Sequence, residues 1–345
     1  MKQNISTLLS KEISLSKTEI ENLIEIPPSQ DLGDYAFPCF ALAKQFKKNP
    51  NQISEELAKK ISSKDFEKIE SKGPYINFFI DRKKLAKETI AKILKEKDKY
   101  GKSKEGKNKT IVIDMSSPNI AKPFGIGHLR STIIGNAIAN ISSFQGFKPV
   151  KLNYLGDWGT PFGKIIAGYQ KFGDPKKLAK EPVKHLYEIY VKVSKLEEFD
   201  ELGKEWFKKM EEGDKETLKL WKQFKELSIK EFNKIYSLLG IKFDVISGES
   251  FYNDKMETTI KELKTRKLLK KSDGAEIIDL NEHDLGVVLI KKSDGATLYA
   301  TRDITAAIDR NKKYKADYLF YEVGSEQILY FKQLFKVLDL MGYKW

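Results

Sequence analysis

The segment richest in chemistry is Ser116-Ser-Pro-Asn-Ile-Ala-Lys-Pro-Phe-Gly-Ile-Gly-His-Leu-Arg-Ser-Thr132. It lies between a short apolar run, Thr110-Ile-Val-Ile-Asp114, and a stretch where Leu129, Ile133, Ala137, Ile141 and Phe144 recur at helical spacing. Gly127 and His128 would open that helix. Unpaired N–H groups and the positive end of the helix dipole suit a phosphate at such a place. Glycine there lets a nucleotide lie against the backbone. An imidazole beside it can donate to a phosphate oxygen as charge builds in a transition state. Taken alone, the same residues also fit a glycine turn with a helix-capping histidine.

The elements that must position this loop can be read from periodicity. Val150 to Tyr154 alternates as a second strand, so strand, loop, helix and strand form the βαβ unit of a parallel sheet. Ligands of such sheets collect at the carboxyl ends of the strands. From about 175 to 240 the pattern is helical, with Leu218, Trp221, Phe224, Leu227, Phe232, Ile235 and Leu239 on one face. This reads as a helical insertion. Sheet character returns at Glu276 to Leu280, Val287 to Ile290 and Tyr318 to Val323, where the sheet is expected to continue, and Glu326 to Met341 reads as an amphipathic helix. The Lys- and Gly-rich run 97–109 reads as a linker behind a small first domain, residues 1–96, with a helical stretch at Gln52 to Ile61 and a strand at Tyr75 to Ile80. Pro27 to Asp34 reads as a solvated loop. The chain stops at Trp345 directly after a helix, which suggests a truncated product.

Composition narrows the function classes. With 345 residues, 40% apolar and 32% charged, disordered and fibrous classes are excluded. A formal charge of +13 favours a polyanionic partner such as nucleic acid, although only five of the 62 basic residues are arginines, a lysine bias that genome composition alone can produce. One cysteine, Cys39, excludes an internal disulfide, and with His128, His185 and His283 it makes no zinc site of usual spacing, so no metal site is expected. A cytoplasmic setting is expected, because neither a signal peptide nor a long uncharged apolar run is present.

Pro118 to Thr132 resembles the signature loop of class I aminoacyl-tRNA synthetases, and further words resemble the arginyl-tRNA synthetase family in particular. They are Asn153-Tyr-Leu-Gly-Asp-Trp-Gly-Thr-Pro-Phe-Gly163, Phe243-Asp244 with Ser247-Gly-Glu-Ser250, Tyr299-Ala-Thr-Arg-Asp303 and Val323-Gly-Ser-Glu-Gln327, in the family's order. Gly33-Asp34-Tyr35 and Gly73-Pro74 match the family's N-terminal domain more weakly. The resemblance implies an α/β fold: a parallel Rossmann-like catalytic sheet with a helical insertion at about 175–240, spanning 110–345 and incomplete, preceded by a small α+β N-terminal domain that contacts tRNA. It implies ATP-dependent activation of arginine and transfer to the 3′ end of tRNA(Arg), with ATP as substrate and Mg2+ as its companion ion, and no membrane partner.

By the same resemblance, Ser116, Gly125, Gly127, His128 and Gly324 belong at ATP. Arginine needs a planar set of acceptors for its five donors. Glu249, Tyr299 and Asp303 are of suitable types, with Asn119 and Gln327 near the α-amino and carboxylate end. The class signature usually begins with histidine where this chain has Gly125, so His128 and Lys122 are expected to carry the catalysis. The lysine-bearing second signature and the anticodon-binding domain of the family lie beyond Trp345. A noncatalytic tRNA-binding or arginine-sensing protein is therefore the alternative, and a shorter nucleotidyltransferase with the same loop is a weaker one. Asp157 and Trp158 are either pocket residues or a turn aspartate and a core tryptophan. Arg130 and Arg302 hint at a need for the planar fork, His185 and His283 read as surface histidines, and the lysine runs at 176–180 and 311–315 as mostly solvated faces.

Overall fold

A computed structural model describes residues 1–293 and 299–345. The chain divides into two compact units, Met1–Tyr100 and Gly101–Trp345. In the first, α1 (Lys2–Leu9), α2 (Lys17–Leu23), β1 (Tyr35–Pro38), α3 (Ala43–Phe46), α4 (Pro50–Lys60), β2 (Phe66–Lys72), β3 (Tyr75–Ile80) and α5 (Arg82–Glu96) follow one another. The strands form an antiparallel sheet in the order β1-β3-β2. The helices bury Ile5, Leu9, Ile20, Ile53 and Leu57 against Phe37, Ile76 and Phe78 of that sheet. The 27–34 stretch is exposed from Pro28 to Asp31, but its end is pinned: Ile80 N–H donates to Asp34 Oδ2 at 2.8 Å and Arg82 reaches Oδ1 at 3.2 Å.

The second unit opens with the second half of the run read as a linker. Ser103 donates to Gln145 Oε1 at 2.6 Å and Gly106 N–H to Gln145 O at 2.9 Å, so residues 101–109 are bonded to the end of the first long helix rather than free. In order come β4 (Thr110–Asp114), α6 (Ile126–Phe144), β5 (Lys148–Leu155), α7 (Thr160–Phe172), α8 (Pro175–Lys180), α9 (Pro182–Val193), α10 (Glu198–Glu211), α11 (Lys215–Leu238), β6 (Val245–Gly248), α12 (Met256–Thr265), β7 (Lys270–Ser272), β8 (Ala275–Asp279), β9 (Val287–Lys291), α13 (Tyr299–Tyr314), β10 (Tyr318–Tyr321) and α14 (Ile328–Leu340). Helices α8 to α11 lie in sequence between β5 and β6 and pack on one another and on α7 through Phe162, Ile165, Leu186, Phe224 and Phe232. Among the described residues no helix is long and apolar enough to cross a membrane.

Strands β10, β4, β5 and β6 form the parallel sheet in that order. The chain runs outward from β4 to β5 and β6, then returns to β10 on the other flank of β4. The crevice between the carboxyl ends of β4 and β10 is thus a topological switch point. Strands β8 and β9 do not continue this sheet as expected. With β7 they make a separate antiparallel meander. The reason lies in Asp273-Gly274, both at positive φ, which close a two-residue hairpin between β7 and β8. Parallel pairing needs a far longer crossover than residues 280–286 provide.

His185 also departs from its surface reading. It faces inward from α9 with Leu186, Ile189 and Val193, is 6% exposed, and accepts the Asp174 backbone N–H at Nε2 (3.0 Å). His283 is exposed.

Helix α13 buries Ile304, Ala307 and Ile308 against α14 and the meander, while its opposite face turns Arg310 to the parallel sheet. Arg310 Nη1 lies 2.8 Å from Asp114 Oδ2 at the end of β4, with both side chains nearly inaccessible. Removing one partner of a buried pair strands the other. Arg310→Gln is expected to lower the unfolding free energy by about 3–5 kcal/mol in urea titration, and Asp114→Asn combined with it to cost less than the two single losses together.

Candidate active site

All four parallel strands end on one edge of the sheet, and the singled-out residues follow from those ends except Tyr299 and Asp303, which stand on α13 ahead of β10. After β4, the chain is held by its own backbone: Ile120 N–H donates to Gly156 O and Gly156 N–H to Pro118 O, at 3.0 and 3.2 Å. This stitch lays exposed Asn119 across Gly156, where an added Cβ would stand 1.9 Å from Asn119 Oδ1 and would push the amide out of this place. Ser131 on α6 accepts the Ser116 N–H at 3.0 Å and donates to Glu322 O at 2.8 Å, joining the loop, the helix and the end of β10. Ser116, expected at ATP, is instead buried, with its hydroxyl 2.7 Å from Tyr236 Oη of α11. Its role in the geometry is to anchor the loop to the insertion.

Helix α6 starts at Ile126 with Gly125 as its cap. Gly125 N–H donates to His128 Nδ1 at 3.1 Å. The acceptor role at Nδ1 puts the remaining proton of the neutral ring on Nε2, a donor left for a ligand. Burial lowers the His128 pKa and favours that neutral ring. Gly127 has no neighbour near a hypothetical Cβ, and Gly125 has only His128 Nδ1 at 3.9 Å. Gly125 has an ordinary φ of −93°, so a side chain is sterically allowed there. Lys122 is placed elsewhere than expected: its ammonium lies over the Tyr190 ring of α9, 4.6 Å from the centroid.

Asp157, just after β5, is fully buried and far from a simple turn residue. Its carboxylate accepts Ser250 N–H and Oγ–H at 2.9 and 2.8 Å and Lys225 Nζ at 2.6 Å, while its carbonyl accepts Trp221 Nε1–H at 2.7 Å. Gly248 permits this approach, since a Cβ there would meet Asp157 Oδ2 at 2.4 Å. The Ser250 bond fixes the turn that carries Glu249. Trp158 packs edge-on against Trp221 and Phe207 as a core ring.

Burial drives the Glu249 carboxyl up to about 7, against the pull of Arg302 and with a further push from Asp303 and Asp157. Asp303 is likewise raised by burial, to about 6, although Tyr330, Arg310 and Arg302 oppose the rise. Each of the two carboxyls thus feels the charge of Arg302, which is 8% exposed, and Glu249 feels that of Asp303. Tyr299 and Asp303 are one turn apart on α13, and the exposed Tyr299 ring lies 5.2 Å from Tyr330. Gly324 and Gln327 lie beyond β10, exposed, with Gln327 N–H bonded to Gly324 O. Arg130 is exposed on α6. Sequence reasoning missed Asp114, Ser131, Lys225, Tyr236, Arg310 and Tyr330. Only Arg310 carried a usable signal, being one of five arginines and seven residues from Asp303.

A family model described as "tRNA synthetases class I (R), catalytic domain" matches residues 89–345, and one described as "Arginyl tRNA synthetase N terminal domain" matches residues 1–80. "Arginine--tRNA ligase" of Clostridium perfringens is 47% identical over the whole chain, and that of Clostridium botulinum strain 657 is 51% identical. The chain spans 62% of the length of each. Among solved structures, arginyl-tRNA synthetase from Plasmodium falciparum is similar over 98% of this chain and 62% of that one, with a TM-score of 0.76 and 26% identity. The Thermus thermophilus arginyl-tRNA synthetase shares the fold at a TM-score of 0.62 and 21% identity, over 89% of this chain and 52% of that one. Site geometry and both family matches agree that the chain belongs to the arginyl class I tRNA synthetases.

Proposed function

We propose that this chain is the arginine- and ATP-binding portion of an arginine--tRNA ligase. In this reading the α-carboxylate of arginine attacks the α-phosphate of ATP, pyrophosphate leaves, and the arginyl group passes from the adenylate to the 3′ end of tRNA(Arg). The observation that carries it is the pair of largely desolvated carboxyls, Glu249 after β6 and Asp303 on α13, whose charges act on each other, together with the open start of α6 after β4. Two carboxylates suit a guanidinium, and a helix N-terminus with a free imidazole Nε2–H suits a phosphate. Asn119 and Gln327 are assigned to the α-amino and carboxylate end, and Gly125, Gly127 and Gly324 to the nucleotide. We place Mg2+ with the ATP phosphates, as the companion ion of the nucleotide.

Arginine binding measured by calorimetry tests the pocket. Asp303→Ala is expected to cost about 2–5 kcal/mol of arginine affinity, with lysine binding poorly to the parent chain. Both carboxyls must be ionised to hold a guanidinium, and their values lie near 6 and 7. Affinity is therefore expected to rise with pH between about 5.5 and 8 and to fall as the groups protonate below that. Equal affinity for lysine, or a flat pH profile, overturns the assignment.

The phosphate side is tested by arginine-dependent pyrophosphate exchange in a protein that matches the relatives over their full length. His128→Ala is expected to lower the rate by about tenfold to a thousandfold. Lys122→Ala is expected to do similar harm if its ammonium leaves Tyr190 for the phosphates, a move that gives up only about 0.5–1 kcal/mol of cation–π contact. An unchanged rate in Lys122→Ala fixes the lysine as a partner of Tyr190 alone. Gly125→His should partly rescue the lysine variant.

For the first unit we propose contact with tRNA phosphates, in keeping with the N-terminal-domain match to residues 1–80. Removal of residues 1–96 is expected to weaken tRNA binding and flatten its dependence on salt in filter binding, leaving arginine affinity intact. An unchanged salt slope excludes that role.

A further inference from the structure

We propose that Tyr330 is a positioning residue for arginine recognition: its hydroxyl holds the Asp303 carboxylate in one rotation and one charge state, so that the other oxygen meets the substrate guanidinium. This deepens the arginine-pocket reading and rests on it. Tyr330 Oη donates to Asp303 Oδ2 across 27 residues of sequence, from α14 to α13. None of the described residues hydrogen-bonds to Oδ1. The Tyr330 ring packs against Tyr299 (centroids 5.2 Å) and Phe331 (5.4 Å), contacts that favour the position from which its hydroxyl reaches the carboxylate. Tyr299 and Asp303 stand one turn apart on α13, and Tyr330 bridges that pair from the neighbouring helix. It also follows Gln327 by three residues. One rigid helix start thereby sets the spacing between the two ends of the proposed substrate.

A carboxylate that rotates or takes up a proton is a poor guanidinium acceptor, and Asp303 is exposed to both risks. It lies in a crowded charge environment. Arg310 and Arg302 on its own helix hold it ionised, while burial and Asp114 from β4 push it toward the protonated form, and its own charge in turn raises Glu249 on the turn after β6. The Tyr154 and Tyr321 hydroxyls of β5 and β10 feel the same charge, and among the described residues neither hydroxyl bonds to Asp303. Tyr330 alone among these tyrosines donates to the carboxylate in the described structure, and a donor to the charged form favours that form. This charge-assisted bond thus competes directly with protonation of Asp303.

The test uses Tyr330→Phe in the full chain, since phenylalanine keeps both ring contacts and removes one oxygen. Arginine affinity is read by calorimetry across pH 5.5–8, and the titration of the Asp303 carboxyl is followed by NMR without arginine. In the variant the carboxyl titration is expected to move to higher pH. Affinity near neutral pH is expected to fall about tenfold and to recover at higher pH, the size of one hydrogen bond to a charged group. In a protein active in pyrophosphate exchange, KM for arginine should rise while kcat stays within about twofold. Thermal unfolding checks that the variant is folded, and Tyr330→Leu, which also loses the ring, should add a stability loss without a larger shift in the Asp303 titration. If the parent chain binds arginine and Tyr330→Phe leaves both the affinity and the titration unchanged, the positioning role is overturned while the pocket reading stands. If the parent chain does not bind arginine, both fall. A variant that loses affinity equally at every pH, with no change in titration, assigns Tyr330 to packing and rejects the role proposed here.

Discussion

The buried ion pair between Asp114 and Arg310 fixes the frame in which every other site residue is placed. Asp114 ends β4 at the switch point, and its carboxylate also accepts the Ser117 hydroxyl at 2.9 Å, which sets the first turn of the signature loop. Its backbone carbonyl accepts Glu322 N–H at 2.9 Å and so fixes the end of β10. Arg310 reaches it from α13, two turns after Asp303 on the same helical face. Through this pair the loop that carries Asn119 and the helix that carries Asp303 share one origin. A buried pair gains little net stability over a well-packed apolar one, because both charges lose their water. Its value here is registry: only one rotation of α13 brings the guanidinium to Asp114.

Asp157 does the corresponding work for the other carboxyl. Three donors converge on its side chain from the Glu249 turn and from α11, and a fourth, Trp221, meets its carbonyl. The insertion is consequently more than an appendage. Its helices hold Ser116 through Tyr236, Ala121 N–H through Ser228 Oγ at 2.9 Å, and Glu249 through Lys225 and Asp157. A shift of α11 would be felt at both ends of the proposed substrate site, directly at Ser116 and Ala121 and through Asp157 and Ser250 at the Glu249 turn.

The two readings of His128 are compatible in this geometry. One ring nitrogen caps the helix by accepting from Gly125, and that bond leaves the other as a donor. Capping orients the catalytic candidate instead of replacing it. The missing first imidazole of the class signature leaves an uncrowded position at Gly125, whose backbone would accept a side chain.

Local pattern determined a great deal. The βαβ unit, the helical stretch at 175–240 and the carboxyl-end location of Asn119, His128 and Gln327 follow from period-2 and period-3.6 runs, all properties of neighbouring residues, whereas β6 ahead of Glu249 is too short to show such a run. The antiparallel meander was also written locally, in Asp273-Gly274, yet apolar runs alone do not say which sheet a strand joins. What only the tertiary structure decided are pairings over long separations. Asp114 finds Arg310, Asp157 finds Lys225, Ser116 finds Tyr236 and Asp303 finds Tyr330 because packing of apolar faces brings the elements together, and the polar groups then bond to what they meet. His185 was misjudged for the same reason: a histidine among charged neighbours in sequence becomes a core residue when the apolar face of α9 carries it inward. Burial, and with it the raised carboxyls of Glu249 and Asp303, depends on atoms far away along the chain and has no local signature to read.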